Sequence, residues 1–250
     1  VLISCLEKMS NLYLKLLELL IGIVDKSNKD LIIKFLKDKT LNRKIVALDV
    51  GAHKGETLEI FLKSFDIEKI FCFEPNRKIY KKLKIKIKMM NCKNVFLFNY
   101  GLGSIIETRS LKTFLDTSSS TFSQIDSKSN YYLRKKKIFN LFSNKFFSED
   151  IEAEVSTLSK FIEENNIKKI DILKIDTEGF EYKILKGIAD NQFKNIELIY
   201  FEHHYDLMLK KDYKFSDINK LLINHNFEMV FKIKMKFRKT FEYIYELKKK

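Results

Sequence analysis

Three short stretches hold the residues whose types and spacing could do chemistry. In ALDVGAHKGET (residues 47–57) an apolar run ends in Asp49, and Gly51 and Gly55 follow with Ala52 and His53 between them. In FEP (73–75) Glu74 stands 25 residues after Asp49 and directly before Pro75, the single proline of the chain. LKIDTEGFE (173–181) carries Lys174, Asp176, Glu178 and Glu181. A glycine turn after an apolar run brings backbone close to a nucleotide, and a carboxylate at the end of the next strand can accept hydrogen bonds from both ribose hydroxyls. A strand that leaves the core with the charge density of the third stretch needs solvent or a polar ligand.

The nucleotide follows from what the turn lacks. A dinucleotide fingerprint reads G-x-G-x-x-G, whereas this turn reads D-x-G-A-x-x-G, with an acid where glycine would let a pyrophosphate approach. No G-x-x-x-x-G-K-[ST] loop occurs, so ATP hydrolysis has no support. S-adenosylmethionine has a ribose and an adenine but no phosphate. It asks for a tight glycine turn, an acidic ribose clamp and polar groups at its methionine end, where Asp49 can help hold the ammonium. These residues favour that cofactor over NAD.

The elements that position these residues alternate. KIVALDV (44–50), KIFCFEP (69–75), NVFLFNY (94–100), IDILKID (170–176) and IELIYFEHH (196–204) are near-continuous apolar strands. Between them lie helical stripes at spacings of three and four, such as Leu58, Phe61, Leu62 and Phe65, or Ile79, Leu83, Ile87 and Met90. This pattern predicts a parallel sheet covered on both faces. FEMVFKIK and FEYIYELKK close the chain as a hairpin, so one of them runs antiparallel. The expected fold is α/β and Rossmann-like, a seven-stranded, mostly parallel sheet with a C-terminal antiparallel hairpin. Residues 1–40 read as a helical extension and 41–250 as one domain. Residues 104–155 read as a variable, irregular insertion, either a lid over the substrate or a disordered excursion.

Only seven glycines occur, and most follow predicted strands, where open α/β sheets bind ligands. The net charge of +14 rests on 47 basic residues, of which five are Arg. That reads as a drift toward Lys over solvated faces more than as a nucleic-acid patch. Cys5, Cys72 and Cys92 have no metal-ligand spacing and suggest reduced thiols and a cytoplasmic protein. LYLKLLELLIGIV (12–24) is too short to span a bilayer, so no transmembrane segment is expected; it reads as an amphipathic packing helix.

Taken together, DVGAHKGET, FEP, VSTL (155–158), LKIDTEGFE and the Glu202-His203 pair resemble, in order, the pattern of the FkbM family of methyltransferases. The resemblance covers residues 44–205. It implies the Rossmann-like class I methyltransferase fold and methyl transfer from S-adenosylmethionine to oxygen on a sugar, glycan or other small molecule. By motif it gives the cofactor Asp49, Gly51, Ala52, His53, Gly55 and Glu74. Asn99 and Gly101, in the loosely matching FNYGLGS, take the position of the adenine contacts. Lys174, Asp176, Glu178, Glu202 and His203 would face the acceptor.

A hydroxyl acceptor must lose a proton. His203 is the first base candidate, since an ordinary histidine titrates near the working pH. Asp176 competes with it, or orients the amino end of the cofactor. Lys174 either binds an acidic acceptor or pairs with Glu178 or Glu202. Asp176, Glu178 and Glu202 could gather around Mg²⁺, which their spacing permits but does not require, and no metal site is favoured. The rivals are weaker. A nucleic-acid methyltransferase or RNA-binding protein fits the basic surface and YYLRKKKIF, but DTEGF stands where amino-directed enzymes carry an Asn/Asp-Pro-Pro-aromatic segment. Tyr80 and Lys84 have dehydrogenase spacing but come too early in the chain.

Overall fold

The computed structural model describes residues 25–114, 120–140, 147–205, 207–236 and 239–249. The LYLKLLELLIGIV segment and Cys5 lie outside them. A helix, α1 (25–39), leads into β1 (Ile45–Val50), α2 (Glu56–Ser64), β2 (Ile67–Phe73), α3 (Arg77–Met90) and β3 (Val95–Phe98). The insertion supplies β4 (Gly101–Leu102), β5 (Glu107–Phe114), β6 (Ser120–Thr121), β7 (Gln124–Ile125), α4 (Asn130–Asn140) and β8 (Phe147–Ser156). Then come α5 (Leu158–Glu164), β9 (Ile170–Ile175), α6 (Glu181–Lys186), β10 (Ile196–His204), β11 (Leu209–Lys210), α7 (Phe215–Asn224), β12 (Phe227–Lys234) and β13 (Thr240–Leu247).

The main sheet has seven strands in the order β12-β13-β10-β9-β1-β2-β3. β13 is antiparallel to both of its neighbours, β10 and β12, while the pairs from β10 to β3 are parallel. The expected hairpin is present, and its returning strand β13 enters the sheet between β12 and β10. Strands read as near-continuous apolar runs because both faces are covered. Leu48 and Val50 of β1 join a core with Phe161, Ile184 and Phe201. Ile45 and Ala47 point the other way, into a core with Leu36 of α1, Phe61 of α2 and Leu83 of α3.

Helix starts follow local chemistry. The Asn76 side chain, directly after Pro75, accepts from the N–H groups of Lys78 and Ile79 and caps α3. Thr157 of VSTL caps α5 by accepting from Lys160 N–H at 3.2 Å.

The insertion is not irregular, which corrects the expectation from sequence. β5 and β8 pair antiparallel along their length in a four-stranded sheet of order β4-β8-β5-β6, and β7 pairs with β11. The pairing was hidden because few inward residues are large: Leu111, Ala153 and Val155 are buried among exposed charges. Residues 115–119 and 141–146 lie outside the described residues. No described helix is long and apolar enough to cross a membrane.

Candidate active site at the carboxyl edge of the sheet

Residues 51–55 form a turn with three left-handed positions, Gly51 (φ 86°), His53 (φ 48°) and Gly55 (φ 83°). Four of its five N–H donors are bonded within the protein. Gly51 and Ala52 N–H donate to Phe73 carbonyl, His53 N–H to Glu74 Oε2 at 2.9 Å, and Gly55 N–H to Ala52 carbonyl. A phosphate cradle needs such donors free, so this turn suits a ligand without phosphates.

Glu74 ends β2 as expected and is 5% exposed. Its other oxygen, Oε1, accepts Asn76 N–H at 2.8 Å. Burial pushes its carboxyl up to about 7, although both N–H bonds and the neighbouring His53 favour the charged form. Each oxygen keeps a lone pair for a second donor. Asn99 braces this corner by donating from Nδ2 to the carbonyls of Glu74 and Pro75. Gly101 is explained by packing: a Cβ there would lie 2.5 Å from the Phe122 ring.

Parallel pairing sets Asp49 beside Lys174, and Lys174 beside Tyr200. The Lys174 ammonium lies 3.1 Å from Asp49 Oδ1 and 3.4 Å from Asp176 Oδ2. Burial alone would lower the Lys174 pKa, but Asp49 and Asp176 more than offset it, and the ammonium stays charged. The lysine therefore pairs with Asp49 and Asp176, not with Glu178 or Glu202. Asp49 Oδ2 and Thr177 Oγ1 are buried without a hydrogen-bond partner among the described residues. A Cβ added to Gly51 would sit 3.4 Å from the Thr177 methyl, so Thr177 lies against the first turn. Thr177 was not singled out from sequence.

After β9 the chain turns through Glu178 (φ 52°) and Gly179 (φ 91°). The insertion holds this turn: Thr121 hydroxyl donates to Glu178 carbonyl at 2.7 Å and Ser123 hydroxyl to Gly179 carbonyl at 2.9 Å. Glu181 accepts from Gly179 N–H at 2.7 Å and from Tyr213 hydroxyl at 2.6 Å, fully buried.

The structure separates Glu202 from His203. Successive strand residues face opposite sides, and His203 sits among the rings of Tyr205, Tyr213 and Phe215, 3% exposed. Burial, then the nearby Lys211 and His204, lower its pKa to about 3, so the ring is neutral at neutral pH and takes up a proton only weakly. His204 is the histidine that meets the carboxylates. Its Nε2 lies 3.0 Å from Glu202 Oε1 and 3.2 Å from Glu178 Oε2, and its Nδ1 lies 3.3 Å from Thr240 Oγ1. Parity along IELIYFEHH would have shown that Tyr200, Glu202 and His204 share a face. Glu242 of β13, directly opposite Glu202, was also missed. Among the described residues no group of three His, Cys, Asp or Glu side chains is placed to hold a metal ion.

Comparisons with known proteins bear on the family and the fold. The family model "Methyltransferase FkbM domain" matches residues 49–229. "Methyltransferase 1" of Beauveria bassiana (strain ARSEF 2860) is 21% identical over 156 residues, which span 62% of this chain and 63% of that protein. A solved methyltransferase FkbM from Methylobacillus flagellatus KT aligns with TM-score 0.50 and 15% identity, over 82% of this chain and 45% of that one. A candidate tRNA (m1A22) methyltransferase from Streptococcus pneumoniae, solved with S-adenosyl-L-methionine, aligns with TM-score 0.50 and 11% identity, over 88% and 72%. These likenesses give the Rossmann-like class I fold, and the match from Asp49 through the carboxyl edge shows that the chain belongs to the methyltransferase FkbM domain family.

Proposed function

We propose that this protein is an S-adenosylmethionine-dependent methyltransferase acting on a hydroxyl of a sugar, glycan or related small molecule. The observation that carries the cofactor is the 51–55 turn, whose bonded donors suit a nucleoside without phosphates, beside a Glu74 carboxylate with lone pairs to spare. The methionine end fits as well, since an ammonium would satisfy the buried Asp49 Oδ2 and a neighbouring polar group the Thr177 hydroxyl. When bound, the cofactor supplies the electrophilic methyl group.

The chain's own residues then bind and orient the acceptor and take its proton. Asp176, with a side chain 38% exposed and Lys174 fixing its carboxylate, is the residue we assign as base. The acceptor edge carries Asp176, Glu178 and Glu202, a sign of charge that favours a neutral hydroxyl compound over a polyanion such as RNA. RNA binding with a steep salt dependence would reverse that preference.

Calorimetric titration with S-adenosylhomocysteine tests the cofactor. Wild type is expected to bind at about micromolar Kd. Glu74→Ala is expected to weaken binding by about tenfold or more, because a charge-assisted ribose contact is lost. Binding of NADH in place of S-adenosylhomocysteine by the folded protein would overturn the reading.

A further inference from the structure

The carboxyl edge contains a pair of acids that the proposed reaction does not use directly. Glu202 and Glu242 are directly opposite on β10 and β13, 8% and 5% exposed. Like charges so placed repel, and both groups are buried away from solvent that would screen them. One proton held between them removes that repulsion and lets one carboxyl donate to the other, since an ionised carboxylate only accepts. The surroundings decide which acid holds it. Glu202 Oε1 lies 3.0 Å from His204 Nε2, an ion-pair distance that favours a charged Glu202 when the ring is protonated. Glu242 is buried with the carboxyl groups of Glu202 and Asp176 nearby, while Lys174, the cation that pulls the other way, is already engaged by Asp49 and Asp176.

We propose that Glu242 is a positioning residue of the acceptor edge: it stays protonated, donates to Glu202, and so fixes Glu202 as the charged partner of His204. The consequence runs outward along one chain of contacts. Glu242 stands opposite Glu202, Glu202 lies 3.0 Å from His204 Nε2, and the same nitrogen lies 3.2 Å from Glu178, whose loop begins at Asp176. Burial, then Glu202 and Asp176, raise the Glu242 pKa against the pull of Lys174, which agrees with this geometry. The groups that face Glu242 are thus Tyr200 and Glu202 on β10, Lys174 on β9 and Asp176 just after it; across β12 its register partner is Ile233, which does not titrate. The functional role rests on the methyltransferase reading; the shared proton does not.

The sign of the pH effect is fixed. A carboxyl whose folded pKa is raised contributes stability below its ordinary pKa and loses it as pH rises toward the folded value. Glu242→Gln mimics the protonated acid and removes that loss. In thermal unfolding from acid to neutral pH, Glu242→Gln is expected to gain steadily on wild type. An infrared difference spectrum between the two at neutral pH is expected to show the carbonyl band of one protonated carboxyl in wild type only; Glu74 and Glu181 contribute equally to both and cancel. By hydrogen exchange, Glu242→Leu is expected to open the 176–179 amides about tenfold or more, whereas Glu242→Gln leaves them within about threefold. An unchanged infrared band, a pH-independent stability gap, or failure of Glu242→Gln to fold would each overturn the proposal. None of these arms uses the cofactor. Loss of S-adenosylhomocysteine binding by wild type would sink the methyltransferase reading and leave the shared proton standing.

Discussion

Lys174→Met unfolds about 3–5 kcal/mol more easily than wild type, the usual result of removing one partner from a buried ion pair. Methionine fills most of the volume of the lysine stem, so the loss is electrostatic. It leaves Asp49, which has no exposed surface, without its cation 3.1 Å away. Burial is the largest influence on Asp49 and raises its pKa, with Lys174 the main opposing charge. Without Lys174 the rise is larger, and stability is lost as pH climbs through it. The deficit of Lys174→Met therefore narrows as pH falls and Asp49 takes up a proton. Adding Asp49→Asn to Lys174→Met recovers more than about 1 kcal/mol, a coupling expected of residues in direct contact. Denaturant unfolding of the two single variants and the double variant at two pH values measures both effects. A Lys174→Met deficit that does not change with pH would show that Asp49 is not the group left exposed to burial.

Gly51→Ala is expected to cost about 3–6 kcal/mol, strain and overpacking combined. A Cβ there would lie 2.0 Å from the Asp176 carbonyl oxygen and 3.0 Å from its carbonyl carbon, and Gly51 has φ 86°. Both obstructing atoms are backbone, so no rotamer change relieves the clash. The loop after β9 would have to retreat, breaking the Asp176 N–H bond to Val50 carbonyl at 3.0 Å. Because that loop carries Asp176 and Thr177, Gly51→Ala should also lose S-adenosylhomocysteine binding in whatever fraction remains folded. Thermal unfolding and calorimetry check the two halves separately. A stable Gly51→Ala protein would mean that the two turns do not meet as closely as described. The glycine is thus required by protein backbone; the sequence alone suggested a ligand as the approaching group.

The difference between those two explanations shows where sequence stops. Strands such as IELIYFEHH were legible because both of their faces are apolar until the last residues, and the hairpin because two such runs lie close in the chain. The D-x-G-A-x-x-G turn and Glu74 were legible because glycine and a lone carboxylate at strand ends have few other uses. What was not legible depends on register between distant strands. That Lys174 meets Asp49 is set by β1 lying beside β9, more than 120 residues away. The preference for His203 over His204 overlooked parity, since one step along a strand reverses the face. Glu242 was not singled out from sequence, because its place at the edge depends on β13 entering beside β10. The β5–β8 pair escaped because its inward side chains are too few and small to make an alternating signal.

The place of β13 in the sheet also bears on the order in which the molecule can be made. Thr240 and Glu242, which complete the carboxyl edge around His204 and Glu202, belong to β13, which is synthesised after every other described strand, while the strand they must pair with ends at His204. Until then β10 presents an unpaired edge and β12 has no neighbour to join it to the sheet. Chains stalled before residue 240 should accordingly stay sensitive to protease along β10 and β12, and a nascent chain cannot complete this edge before β13 has been made.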